Sequence, residues 1–287
     1  MSFTIPKQQK VVRQELANLP TPVKLGRLHQ PISHSDLIES IQNEINAERG
    51  FKRIVNGIEL FDVRLNLISE SIGLLSSKHG MGTEMFANLQ FEVKVADKVV
   101  EALDGKATYS LAVINSNAQK FALTFFAGAV IGVCTNGIII KSVEGDVVKK
   151  KHITSMSSIY EIRRGLQSFV DSIRVIEEVA KIMQGTFITP SDLNDALVAF
   201  GKSKIMCPTM VFKTLDEYES AKHEGDHGKE TLWSLYNAGT EIIKRESGLA
   251  VQRRVMLGMT EQFSNLQLMP TVEEITANVM SSNHINN

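Results

Sequence analysis

The sequence predicts an α+β protein, with a mostly antiparallel sheet in the first half and a helical second half. Two observations carry this expectation. From Phe51 to about Ile140, apolar residues alternate or cluster in short β-rich runs between polar turns, as in LQFEVKV and TYSLAVINSN. From Thr154 the period changes, and Ile159, Ile162, Leu166, Phe169, Val170, Ile173 and Ile176 recur at helical spacing. The chain has 287 residues, of which 43% are hydrophobic and 22% charged, so it can bury a substantial core and is neither disordered nor fibrous.

Residues 1–32 are mixed and interrupted by proline, and read as an extended N-terminal arm. Ser35 is placed to cap a helix running to about Glu48, with Leu37, Ile38, Ile41 and Ile45 on one face and Gly50 as its stop. Asn56-Gly57 sits between alternating runs and signals a hairpin. A short helix is expected near residues 96–104. The long helix from about residue 154 is expected to run to Met183 and stop at Gly185. Thr189-Pro190-Ser191-Asp192 combines a cap, a proline at the first helical position and an acid three residues after the cap. That helix is expected to reach Phe200, with Gly201 after it, and two more helices fit residues 229–246 and 250–267. The organisation expected is a β-rich part over 33–153 and a helical part over 154–270, forming one composite domain. Residues 271–287 are read as a C-terminal tail.

Composition narrows the function classes. Net charge is −1, so a nucleic-acid site would be a local patch rather than a whole basic face. The two cysteines, Cys134 and Cys207, form no CxxC pair, and Cys134 reads as a structural thiol. The longest apolar run, FALTFFAGAVIGVC, is too short to span a bilayer, and the N-terminus has no signal-like stretch. A cytosolic protein with no membrane association is expected. Phosphate-cradling glycine loops and a nucleophile elbow are absent from the sequence.

Five stretches carry chemistry. HEGDH matches the zinc-protease pattern, with His223 and His227 as metal ligands and Glu224 as base. Gly225 and Asp226 weaken the helix that such a site needs, and the flanks are charged. The segment therefore reads as a helix end and loop, with His223 and His227 kept as the metal candidates and no cofactor expected. In KSVEGDVVKKKHI, Lys149, Lys150, Lys151 and His152 follow a turn on a return strand. Adjacent cations there suit a phosphate backbone, or an edge strand protected by charge. Arg163 and Arg164, off the apolar stripe of the following helix, can extend that track. The polar turn Asn115-Ser116-Asn117 stands between two apolar runs. Trp233, Tyr236 and Ile243 can share one helix face as core.

Three of these stretches resemble a known family when taken in order. NSNAQKFALTFFAGAVIGVCTNGI, then KKKH, then TLWSLYNAGTE resemble the phage- and plasmid-borne proteins of domain of unknown function nine-hundred-thirty-two. The resemblance covers roughly residues 50–250. Ile114 stands where relatives carry Arg, and Ile153 where they carry Thr. The resemblance implies a phage or mobile-element protein of the bacterial cytoplasm, in the company of replication and recombination functions. In outline it is similar to phage single-strand annealing proteins. The expected function is thus a non-catalytic single-stranded DNA-binding or annealing protein, contacting DNA through Lys149, Lys150, Lys151, His152, Arg163 and Arg164, and forming a homo-oligomer. The alternative is a protein-interaction or structural factor, such as an inhibitor of a host enzyme. A zinc hydrolase through HEGDH is the third reading.

Overall fold

Glycine, proline and capping residues mark where each element begins and ends in a computed structural model of the chain. The structure describes residues 9–25, 27, 31–55, 58–77, 80–101, 107–118, 123–131, 136–139, 158–220, 230–246 and 249–282. Strands dominate the first half and are antiparallel, and helices fill the second, as the patterning predicts. The chain forms two compact units. The first contains Met1–Glu101, Tyr109–Ala127 and Glu144–Ser172. The second contains Ala102–Thr108, Gly128–Val143 and Ile173–Asn287.

In the first unit the stretch expected to be an extended arm supplies a short edge strand and a single helical turn. These are β1 (Gln9–Val11) and α1 (Arg13–Leu16), and Leu16 is buried. Helix α2 (His34–Ile45) follows. Its cap is Ser33 rather than Ser35: the Ser33 hydroxyl accepts from the Asp36 N–H at 3.0 Å. Ser33 holds the non-helical position before the first turn (φ −59°, ψ 143°), whereas Ser35 already lies inside the helix. Leu37, Ile38, Ile41 and Ile45 are buried as their spacing requires. Gly50 turns the chain out of this region at φ +66°, and a Cβ there would meet the Val63 carbonyl at 2.9 Å.

The sheet is built on one long hairpin. Strand β2 (Phe51–Val55) pairs with β3 (Ile58–Ser77), and β3 with β4 (Gly80–Val95). Val55 faces Ile58, the register of a two-residue connection, as Asn56-Gly57 signals. Strand β3 changes phase in its middle. Leu67 pairs with Phe91 but Ser69 pairs with Gln90, so Ile68 is an extra residue, 53% exposed. Before this bulge the buried positions are odd (Val63, Leu65), and after it they are even (Ile72, Leu74). One inserted residue thereby keeps both ends of a 20-residue strand facing the same core.

The expected helix near residue 96 is instead a tight turn into β5 (Lys98–Val100). Val95 pairs with Lys98, and Ala96 and Asp97 both take positive φ, at 48° and 64°. Two consecutive left-handed residues make the hairpin turn whose twist suits adjoining strands. Pairing with β4 outweighs the helix propensity of the local residues. Strands β6 (Ala107–Ser116) and β7 (Thr124–Ile131) complete the order β1-β3-β4-β6-β7. Within this unit the first turns of α3 (Ser158–Gly185) lie on the sheet. Phe169 packs on Phe91 with ring centroids 5.3 Å apart, and Gly165 meets the Phe125 ring.

In the second unit, the end of β7 pairs with β8 (Asn136–Ile139) from Gly128↔Ile139 to Ile131↔Asn136. Helix α4 (Pro190–Lys202) has the expected box: the Thr189 hydroxyl accepts from the Asp192 N–H at 3.2 Å, and the Asp192 carboxylate accepts from the Thr189 N–H at 2.8 Å. It continues through Gly201 to Lys202. A helix the periodicity did not separate, α5 (Pro208–Glu219), follows with proline at its start. Helices α6 (Leu232–Glu246) and α7 (Leu249–Asn265) lie close to their expected bounds. The expected tail begins with α8 (Val272–Ser282), capped by Thr271 and Glu274 as α4 is by Thr189 and Asp192.

Residues 231–240 are all buried. This places α6 at the centre of its unit, among α5, α7 and β8. Gly239 permits the approach of α7, since a Cβ there would meet the Met259 sulfur at 2.6 Å. Trp233 and Tyr236 stack with centroids 6.4 Å apart, and Ile243 is buried with them, as their common helix face predicts.

Candidate functional site

Three places in the described residues bear on function. The first is the Asn115-Ser116-Asn117 turn at the end of β6. All three residues are buried. Asn115 Nδ2 donates to the Ile32 carbonyl at 3.0 Å and lies 2.9 Å from His34 Nδ1. His34 Nε2 lies 2.8 Å from the Gly82 carbonyl. Because Gly82 offers only an acceptor and the Asn115 amide a donor, His34 is the neutral tautomer with its proton on Nε2. The Ile32 N–H donates to Asn117 Oδ1 at 3.1 Å. The turn thus fastens the entry of α2 to the sheet, a buried polar knot with a structural task. Asn115 and His34 are 81 residues apart, and nothing local in the sequence joins them.

The second place is the start of α3. Arg163 and Arg164 are adjacent but differ in surroundings. Arg163 donates to Glu44 Oε2 at 3.0 Å and to the Gly50 carbonyl at 2.7 Å, and its guanidinium lies 5.3 Å from the Phe51 ring centre. It ties α3 to the end of α2 and the start of β2. Gln167, one turn on, clasps Lys52 through both backbone groups at 3.0 and 2.9 Å. Arg164 is exposed. Lys149, Lys150, Lys151 and His152 lie outside the described residues, as does Cys134. His223, Glu224 and His227 also lie outside them. Among the described residues no group of three or more His, Cys, Asp or Glu is placed to hold a metal.

The third place is the hairpin of β2 and β3 at its free end. Pairing of β3 with β4 starts at Val63, so Arg53–Val55 and Ile58–Leu60 form a two-stranded extension. Ile58 is 63% and Ile54 55% exposed, with Leu60 and Phe61 also on the surface. Arg53 pairs with Asp62, Lys52 with Glu59 at 3.1 Å, and Arg49 covers the Phe61 ring at 4.4 Å. The Arg53 hydrogen bond holds the Asp62 carboxyl below its ordinary range. By the register Ile58 and Leu60 lie on one face of this extension and Ile54, opposite Glu59, on the other; sequence patterning finds the hairpin but not which of its apolar side chains the core leaves bare.

The two aromatic residues of α6 are buried, Tyr236 at 1% exposure, and so serve the core rather than presenting a stacking face. No helix among the described residues is long and apolar enough to cross a membrane. Against known proteins, no curated relative and no solved structure matches this chain. One family model does match, Domain of unknown function (DUF932), over residues 69–266. That span runs from the middle of β3 to the end of α7 and takes in the buried Asn115 turn, all of α3 and the buried α6 helix. The chain therefore belongs to the DUF932 family.

Proposed function

We propose that the chain is a non-catalytic single-stranded DNA-binding or annealing protein of phage type, acting in replication or recombination in the bacterial cytoplasm. What carries the reading is the run Lys149-Lys150-Lys151-His152, with Arg164 exposed on the first turns of the helix that follows. Consecutive cations repel one another and are relieved by a strand of phosphates. In this reading Arg163 is a positioning residue: bonded to Glu44 and Gly50, it holds α3 so that Arg164 faces outward. The test is a gel shift of a labelled oligonucleotide with the wild type and with the Lys149→Glu, Lys151→Glu double variant. The reading requires a shift at low salt that high salt and the double variant both abolish. No shift at low salt, or an undiminished one with the variant, ends it.

A second reading is supported by the apolar hairpin end at Ile54, Ile58, Leu60 and Phe61. Exposed apolar side chains on both faces of a two-stranded extension suit a contact with another protein that grips it, including a second copy of this chain. The hairpin's two ion pairs are satisfied within the chain, so the apolar groups are what a partner would gain. Sedimentation of wild type and of Ile58→Glu tests this reading, which requires a smaller species for the variant.

A further inference from the structure

The first 32 residues carry Lys7, Lys10, Arg13, Lys24 and Arg27 against a single acid, Glu15. Five cations against one acid give +4, which leaves −5 for the rest of a chain whose total is −1. A charge asymmetry of this kind marks a basic arm, whose fitting partner is a polyanion. Two of these charges are already engaged. Arg13 is bonded to Glu70, and Glu15 accepts from the Val12 N–H at 2.8 Å. Lys10 stands on β1, and Lys24 and Arg27 on the segment that follows α1. All three are exposed, and none has an ion pair among the described residues.

The segment holding Lys24 and Arg27 is fixed at both ends. At its start Leu19 packs against Gly82, where a Cβ would meet Leu19 Cδ2 at 2.9 Å. At its end the Ile32 N–H donates to Asn117 Oδ1 at 3.1 Å, and the Ile32 carbonyl accepts from Asn115 Nδ2 at 3.0 Å. From Pro20 to Leu25 no helix or strand forms, and Val23 is 66% exposed. Pro20 and Pro22 fix their own φ and stiffen this stretch. Lys24 and Arg27 are three residues apart, so their Cα atoms lie within roughly 11 Å of each other. The arrangement is a strap, anchored at Leu19 and Ile32, with two cations on its open part. A strap held at both ends loses less freedom on binding than a loose tail would.

We infer that the strap between Leu19 and Ile32 is a contact site for the phosphate backbone of single-stranded nucleic acid, with Lys24 and Arg27 as its cations. It is a second contact, remote in sequence from the KKKH run and outside the residues 69–266 that the family model matches, and it rests on the single-strand-binding reading above. Nucleic acid is favoured over an anionic membrane, because polybasic membrane contacts gather about 4–8 cations. It is favoured over an acidic protein, because a strand of phosphates also answers Lys149, Lys150 and Lys151, which carry the same sign.

The experiment is fluorescence polarisation of a fluorescein-labelled oligothymidylate with the full chain across a salt series, with cosedimentation on phosphatidylserine vesicles as its second arm. The proteins compared are wild type, Lys24→Gln with Arg27→Gln, Lys24→Arg with Arg27→Lys, and Lys149→Glu with Lys151→Glu. Losing two phosphate contacts in the glutamine pair makes the slope of log affinity against log salt shallower by about 1.4. Its fall in affinity between about 50 and 200 mM salt is then about 7-fold smaller than that of the wild type, whereas the charge-preserving exchange keeps the wild-type slope. Both Lys24, Arg27 variants melt with the wild type by circular dichroism, since the two side chains are exposed. If the glutamine pair keeps the wild-type slope while Lys149→Glu with Lys151→Glu is weakened, the strap assignment is overturned and the single-strand reading stands. If the wild type does not bind the oligonucleotide at low salt, both fall. If the glutamine pair loses vesicle binding but keeps its slope on the oligonucleotide, the strap is a membrane contact and the inference is overturned.

Discussion

Replacing Arg163 by alanine separates a residue that holds the fold from its neighbour that faces solvent. Arg163 Nη1 is 3.0 Å from Glu44 Oε2 and Nη2 is 2.7 Å from the Gly50 carbonyl. Side-chain exposures of 29% for Arg163 and 17% for Glu44 mean that solvent screens the ion pair in part, which limits it to about 1 kcal/mol. The bond to the carbonyl and the contact with Phe51 add about 1 kcal/mol more. Arg163→Ala therefore costs about 2 kcal/mol, an expected fall in melting temperature of about 4–8 °C by circular dichroism. Arg164→Ala, at an exposed position, leaves the melt within about 1–2 °C of wild type and weakens oligonucleotide binding instead. If Arg163→Ala melts with the wild type, or Arg164→Ala is the destabilised one, the division of labour drawn from the geometry is wrong.

Three further outcomes follow from particular contacts. A Cβ on Gly165 would lie 2.6–3.0 Å from three carbons of the Phe125 ring. Gly165→Ala is thus expected to destabilise by about 1–3 kcal/mol in urea melts despite the helix propensity it gains. Ala96, at φ 48° in the β4–β5 turn, is strained for alanine, and Ala96→Asn should raise stability by about 0.5–1 kcal/mol in the same assay. Acid tests the helix caps. The Thr189 backbone and hydroxyl bonds lower the Asp192 carboxyl from its ordinary 3.8, and those of Thr271 lower Glu274 from 4.5. A depressed carboxyl stabilises the fold above its unfolded value, and that contribution is lost as pH falls through the folded value. Stability should therefore drop below about pH 4, and the drop should be shallower in Thr189→Ala, as urea midpoints along a pH series would show.

What the sequence reveals of this fold is mostly local. The box at Thr189-Pro190-Ser191-Asp192 is visible because its partners are three residues apart, and α4 starts there. The same pattern stands at Thr271 and Glu274, and reading 271–287 as a tail passes over a legible signal. The β4–β5 turn is hidden because Ala96-Asp97 lacks the glycine or asparagine that usually marks it. The bulge at Ile68 is hidden for another reason. It appears only when β3 is laid against β4 and the buried positions switch from odd to even. For the candidate site, spacing identifies Arg163 and Arg164 as off the apolar stripe but cannot tell them apart. Their difference arises from Glu44 and Gly50, more than a hundred residues away in sequence. Likewise the polar turn at Asn115 is legible, whereas its purpose depends on His34 and Ile32.

Single-strand binding is most directly tested by measuring affinity for a labelled oligonucleotide across a salt series. With Lys149, Lys150, Lys151 and Arg164 each neutralising one phosphate, the slope of log affinity against log salt is about −2.8. Affinity then falls roughly 50-fold between about 50 and 200 mM salt. The Lys149→Glu, Lys151→Glu variant should bind weakly and with a slope nearer zero. A wild type that fails to bind at low salt, or a variant with an unchanged slope, would contradict the account.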